Sequence, residues 1–213
     1  MKIQPFQFNM FGELTYIVWD QESHEGAVID PGMSTTAEQK LLDQFINDHD
    51  IKLKYLLYTH LHIDHTLGHD HIAEAYKLES RAGSADAPLG TGRAQQARMF
   101  NLSIATPSEL KIDIPLRDGE LLPIGKENLE VIFVPGHSPG SVAYYCKESG
   151  FVITGDALFN GSIGRTDLPG GNHRQLIESI RTRLLTLPPE TVVLPGHGPS
   201  TTIEHEKSSN PFL

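Results

Sequence analysis

A single cysteine, Cys146, stands among 213 residues, so the chain can form no internal disulfide and can offer no cysteine cluster to a metal. A reducing, cytoplasmic setting is the expectation. Cationic residues are also scarce: 17 Lys and Arg face 27 Asp and Glu, and the resulting formal charge of -10 repels a phosphate backbone instead of neutralising it. Nucleic acid is excluded as a partner on that ground. No apolar run approaches the roughly 18 residues that cross a bilayer, and Met1-Lys2-Ile3-Gln4-Pro5-Phe6 lacks the apolar core of a signal peptide. Neither membrane insertion nor export is expected. Repeats, low-complexity tracts and linker-like stretches are missing too, while a hydrophobic share of 38% against a charged share of 21% suffices for a folded core. Residues 1–213 read as one domain.

What is present begins with β-rich runs at 8–19 and 27–29, parted by the polar stretch 20–26 and closed by Asp30-Pro31-Gly32, which reads as a turn. An opening antiparallel hairpin is predicted. Thr35 or Thr36 can cap a helix whose apolar residues Leu41, Leu42, Phe45 and Ile46 recur at three-to-four spacing, ending near 48–50. A strand over 53–58 follows, then a short helix around Ile72, Ala73 and Tyr76. Gly83, Pro88, Gly90 and Gly92 break the pattern, so 80–110 reads as a surface insertion with a helix at 95–99. Apolar runs at 112–114, 121–122, 129–134, 141–146 and 151–154 recur at meander-like intervals and predict a second sheet. A helix over 173–185, with Leu176, Ile177, Ile180, Leu184 and Leu185 on one face, precedes a last strand over 191–194.

Chemistry is concentrated in His60-Leu61-His62-Ile63-Asp64-His65, three imidazoles and a carboxylate directly after the apolar run 55–58. Zn2+ and Fe2+ favour such donors. Three further apolar runs also end in a possible ligand, with a glycine beside it: Pro135-Gly136-His137, Gly155-Asp156 and Pro195-Gly196-His197-Gly198. Strand ends can bring such residues to one rim, and a missing β-carbon lets the backbone turn sharply beside an ion.

This pattern of His-x-His-x-Asp-His, then His, Asp and His after successive strands, resembles the metallo-β-lactamase-fold superfamily over nearly the whole chain. The resemblance implies an α+β fold, a four-layer αββα sandwich with metals at one edge. It also implies two divalent metal ions, Zn2+ foremost, with iron or manganese accepted by the same donors. His60, His62 and His137 would hold one ion, Asp64, His65 and His197 the second, and Asp156 would bridge them. Two ions about 4 Å apart supply a nucleophilic water near neutral pH, so Asp64 is the expected catalytic residue, ligating and orienting that water.

Within the superfamily, the loop at 161–171 resembles that of glyoxalase II-like hydrolases, and Arg165 corresponds to a basic residue that contacts the glutathione part of the substrate. The expected substrate is a small-molecule thioester, S-lactoylglutathione or a related acyl-thioester, because a thiolate departs with little need of protonation. The alternative for Arg165 is a loop-ordering salt bridge. Pro195-Gly196-His197-Gly198-Pro199 and the terminal Asn210-Pro211-Phe212-Leu213 resemble short bacterial-type members. Full-length glyoxalase II carries a C-terminal helical extension with further glutathione contacts, and no such extension is expected here. The rival is a persulfide dioxygenase, a relative with a similar Gly-Arg-Thr-Asp loop that uses one iron and O2. Its family usually departs from the Gly-His-Gly-Pro reading at 196–199, which favours the hydrolase. An inactive metal-binding scaffold is a third reading, opposed by the intact ligand set. His69 and His71 read as helix-start surface residues, and Cys146 as core.

Overall fold

The computed structural model describes every residue except 103, 105 and 106. Strands β1 (Lys2–Phe8), β2 (Glu13–Trp19) and β3 (Glu25–Ile29) form an antiparallel meander, so the opening has three strands where a hairpin was expected. The run at 8–19 is broken by a reversal in which Asn9 and Gly12 take φ of 49° and 68°. Pro5, within β1, hides that strand in the sequence; an edge position tolerates its missing donor. Helix α1 (Thr36–Asp48) starts at Thr35, whose hydroxyl and the Glu38 carboxylate form a reciprocal capping box. Strand β4 (Lys52–Leu57) runs parallel to β3, and α2 (His69–Tyr76) follows the histidine cluster.

The segment 80–110 is not a surface insertion. Strand β5 (Ser80–Ala82) pairs with β4, and β6 (Ile114–Pro115) pairs with β5, which completes the six-stranded order β1-β2-β3-β4-β5-β6. The run at 112–114 therefore belongs to the first sheet, not the second. Between these strands, α3 (Ala87–Thr91) and α4 (Arg93–Met99) send the buried side chains of Arg93 and Gln96 inward.

The second sheet takes β7 (Leu121–Ile124), β8 (Glu127–Phe133), β9 (Val142–Cys146) and β10 (Phe151–Gly155) as an antiparallel series. A small hairpin of β11 (Leu158–Phe159) and β12 (Ser162–Ile163) leads to α5 (His173–Ser179), which continues as a wider helical turn over Ile180–Leu184. Strand β13 (Val192–Pro195) returns parallel to β10, and β14 (Thr201–Thr202) and α6 (Ile203–Ser209) close the chain. The order is β14-β13-β10-β9-β8-β7. Because β9 is antiparallel to both β8 and β10, strands β8, β10 and β13 all run the same way, so their C-terminal ends share one edge.

Period-two alternation builds the layers. Tyr16, Val18, Val131, Tyr144, Cys146 and Ile153 meet between the sheets, burying Cys146 as expected. The alternate residues Ile17 and Trp19 pack under α1, with Leu42 and Ile46. On the other outer face, Ile132, Ala143, Tyr145 and Val152 meet Leu176, Ile180 and Leu184. Helix, sheet, sheet, helix: the four-layer αββα sandwich is the observed fold. Among the described residues, no helix is long and apolar enough to cross a membrane.

Candidate metal centre

The chain leaves β4 through Thr59 and turns through a short 3-10 segment at Ile63–His65, which spreads the hexapeptide donors around one point. His137, Asp156 and His197 arrive after β8, β10 and β13. Two of these turns admit nothing larger than glycine. Gly155 has φ 50° and a β-carbon there would lie 2.2 Å from the Thr59 hydroxyl, while one on Gly196 would lie 2.4 Å from Asp156 Oδ1.

All seven predicted donors converge, in two groups. His60, His62 and His137 form a buried trio: His137 Nε2 lies 3.2 Å from His60 Nε2 and 2.9 Å from His62 Nδ1. Asp64, His65 and His197 form the other, with His197 Nε2 3.2 Å from Asp64 Oδ2. Asp156 reaches both, its Oδ1 3.4 Å from His65 Nε2 and its Oδ2 3.6 Å from His137 Nε2.

Surrounding hydrogen bonds set the tautomers. His137 Nδ1 lies 2.7 Å from the Arg165 carbonyl, which can only accept, so Nδ1 holds the proton and a neutral ring turns the Nε2 lone pair to the trio. His65 Nδ1 likewise faces Asp30 Oδ2 at 3.0 Å. The Thr59 hydroxyl donates to Asp30 at 2.5 Å and so accepts from His60 Nδ1 at 3.1 Å. Nitrogen lone pairs pointed at one another at such distances repel unless a cation lies between them. His65 Nε2 and Asp156 Oδ1 are buried without a hydrogen-bond partner, a second sign that this donor set fits metal ions.

Charge follows the same division. Burial above all, then neighbouring imidazoles, holds His60 well below its ordinary pKa and pushes His62 down to about 3. Burial opposes charge on His65 as well, but Asp64, Asp156 and Asp30 outweigh it and lift that pKa well above the usual value. Burial would raise Asp156, yet His65, His137 and His197 hold it far below the carboxylate range. His60 and His62 are thus held neutral, whereas in the second group the carboxylates hold His65 protonated, a proton that a bound cation would replace.

Several supporting residues do not stand out from their sequence patterns. Asp30 is more than a turn residue: buried, at φ 52°, it accepts from Thr59 N at 2.7 Å as well as facing His65. Behind it the fully buried Glu13 lies 4.0 Å from His65 Nδ1, with burial first among the causes that raise its pKa well above normal. Asp86 joins two ligand loops, accepting from Leu61 N at 3.0 Å, Ser138 Oγ at 2.8 Å and Gly140 N at 2.6 Å. Gln96 Oε1 accepts from Ile63 N at 3.0 Å, and Arg93 donates to the Thr66 carbonyl at 2.7 Å. His69 and His71 are not the surface caps expected: they face the Tyr58 hydroxyl at 2.8 Å and the Asp43 carboxylate at 3.0 Å.

A cavity of about 210 Å³ opens over the donors, walled by Phe11, Phe100, Arg165 and Leu168. Phe11 and Phe100 stand edge to face, their ring centroids 5.7 Å apart. The Arg165 guanidinium lies at the rim, held by Asp167 through two 2.7 Å hydrogen bonds. Among the described lining residues, none is Ser, Cys or Lys, so the side-chain nucleophiles of acyl transfer are missing there.

Residues 10–197 match the sequence profile of the metallo-beta-lactamase superfamily. A probable metallo-hydrolase of Bacillus subtilis, YqgX, is 39% identical over 100% of this chain and 95% of its own length. The hydroxyacylglutathione hydrolase GloC of Haemophilus influenzae is 37% identical over 100% and 98%. Among solved structures, TTHA1623 in a di-iron-bound form superposes with a TM-score of 0.85 at 38% identity, covering 99% of this chain and 100% of that one. By its profile, its relatives and its sandwich, the chain belongs to the metallo-beta-lactamase superfamily, a group of divalent-metal-binding proteins.

Proposed function

We propose that the chain is a dinuclear-metal hydrolase that cleaves acyl-thioesters, of which S-lactoylglutathione is one. The observation that carries the reading is seven convergent donors under a cavity whose described lining holds no Ser, Cys or Lys, which leaves water as the attacking group. GloC, similar over the full length, supports the substrate class. In this reading His60, His62 and His137 hold one ion, Asp64, His65 and His197 the other, with Asp156 between. Two such ions, Zn2+ foremost, would supply Lewis-acid polarisation of the thioester carbonyl and acidify a water enough to attack at neutral pH.

The chain's own residues do the rest. Asp64, the expected catalytic residue, accepts a proton from the attacking water and orients it; His197, 3.2 Å away, keeps that carboxylate in place. Phe11 and Phe100 limit bulk water at the cavity mouth. Arg165 offers its planar fork to a carboxylate of the thiol carrier, in exchange for the exposed Asp167 contact. The thiol leaves as thiolate, since its pKa of about 8.5 makes a strong general acid unnecessary. A single cysteine and a cytoplasmic thioester pool are compatible.

The test is a screen of metal-loaded protein on S-lactoylglutathione and simple acyl-thioesters, reading thiol release, beside an O2 electrode with glutathione persulfide. Thioester cleavage is expected. Rapid O2 uptake with no thioester cleavage would overturn the reading in favour of a persulfide dioxygenase, and a folded, metal-loaded, inert protein would mark a scaffold.

A further inference from the structure

Beside the metal cavity lies a larger one, of about 330 Å³, and His62, Phe100 and Leu168 line both. Its remaining wall comes chiefly from α3 and α4, through Pro88, Leu89 and Met99, with Pro169 opposite. Among the described lining residues, none bears an acidic, lysine or arginine side chain. Gln96 adds little polarity, since its amide already serves Ile63 N, Leu61 O and Leu89 O. We propose that this cavity is the acyl-chain pocket of the hydrolase, and that the preferred substrates are thioesters of apolar, medium-length acyl groups.

The inference rests on the thioester reading and narrows it. A thioester whose carbonyl sits at the donors has two arms, and the two directions from the metal centre differ in kind. One leads to the rim and the Arg165 guanidinium; the other enters the apolar cavity past His62. Biological thiol carriers are polar or charged, and burying them in an apolar cavity without partners is costly. The carrier therefore takes the rim and the acyl chain the pocket. At about 30 Å³ per water-sized group, the volume takes roughly ten such groups, enough for an acyl chain of about eight carbons. A lactoyl group is too small to fill the space.

The experiment measures kcat/KM of metal-loaded protein on acetyl, butyryl, hexanoyl and octanoyl thioesters of N-acetylcysteamine, with calorimetric binding of acetate and octanoate alongside. Burial of each methylene should raise kcat/KM about three- to fourfold, so octanoyl exceeds acetyl by more than a hundredfold. Octanoate should bind more tightly than acetate. Met99→Glu, at a half-exposed position, and Ala85→Trp, at an exposed one, should each lower the octanoyl-to-acetyl ratio at least tenfold. A flat acyl series with active hydrolysis would overturn the pocket and keep the thioesterase; so would a chain-length gain found only on the thiol arm. Octanoate binding weakened by Met99→Glu, with no thioester cleaved, would keep the pocket and overturn the thioesterase. Neither hydrolysis nor chain-dependent binding would overturn both.

Discussion

The group of His60, His62 and His137 offers three imidazoles of which His60 and His62 are pressed toward neutrality, whereas that of Asp64, His65 and His197 carries a carboxylate and stands before two more buried acids, Asp30 and Glu13. One hexapeptide supplies two donors to each, so the contrast comes from what the fold brings behind them. A cation facing neutral donors keeps more of its charge and polarises a carbonyl more strongly; one facing carboxylates is bound more tightly and less polarising. In the proposed hydrolase, the asymmetry gives electrophilic work to the first group and orientation of the attacking water to the second.

The largest effect should come from residues that join or define the two groups. Asp156→Asn, which alters a side chain facing both, should lower kcat about a thousandfold or more, beyond the 10- to 100-fold typical of losing an orienting partner, and reduce bound metal. Asp64→Asn should lower kcat by about 10²–10⁴ with little change in thermal stability; an unchanged kcat would remove the acidic group's catalytic role. Next, Asp30→Ala and Thr59→Val separate the halves. The first takes the acceptor from His65 and the second takes it from His60, so each should cost roughly 10- to 100-fold in metal affinity, Asp30→Ala chiefly at the acidic group. Competition with a chelator reads both.

Stability should respond to Asp86, whose carboxylate binds three donors from two ligand loops. Asp86→Ala leaves them unsatisfied, at a cost of about 2–4 kcal/mol, and should lower Tm of the metal-free protein by roughly 5–15 °C. The smallest effect is expected for Arg165→Ala: KM for an anionic carrier rises a few-fold with kcat nearly unchanged, and an equal rise for a neutral carrier would leave Asp167 as its only partner.

The seven donors were legible because four apolar runs lead into them and three of them sit beside a glycine, a pattern that survives without knowing which strands pair. Alternation likewise revealed the strand runs, but it does not say which sheet a strand joins. The two-residue β6 was for that reason assigned to the wrong one. Asp86 and Gln96 left no trace because a buried polar residue has no period: its importance lies in backbone groups far along the chain, 25 residues away for Leu61 and 33 for Ile63. Asp30 was hidden by its own neighbours, since Asp-Pro-Gly is as good a turn as it is a support for His65.

The most direct test of the dinuclear account is an anomalous-difference map from crystals of the metal-loaded protein at the metal's absorption edge. The account predicts two peaks, one within the His60, His62 and His137 nitrogens and one among Asp64, His65 and His197, with Asp156 reaching both. A single peak at full occupancy, or peaks away from these donors, would contradict it.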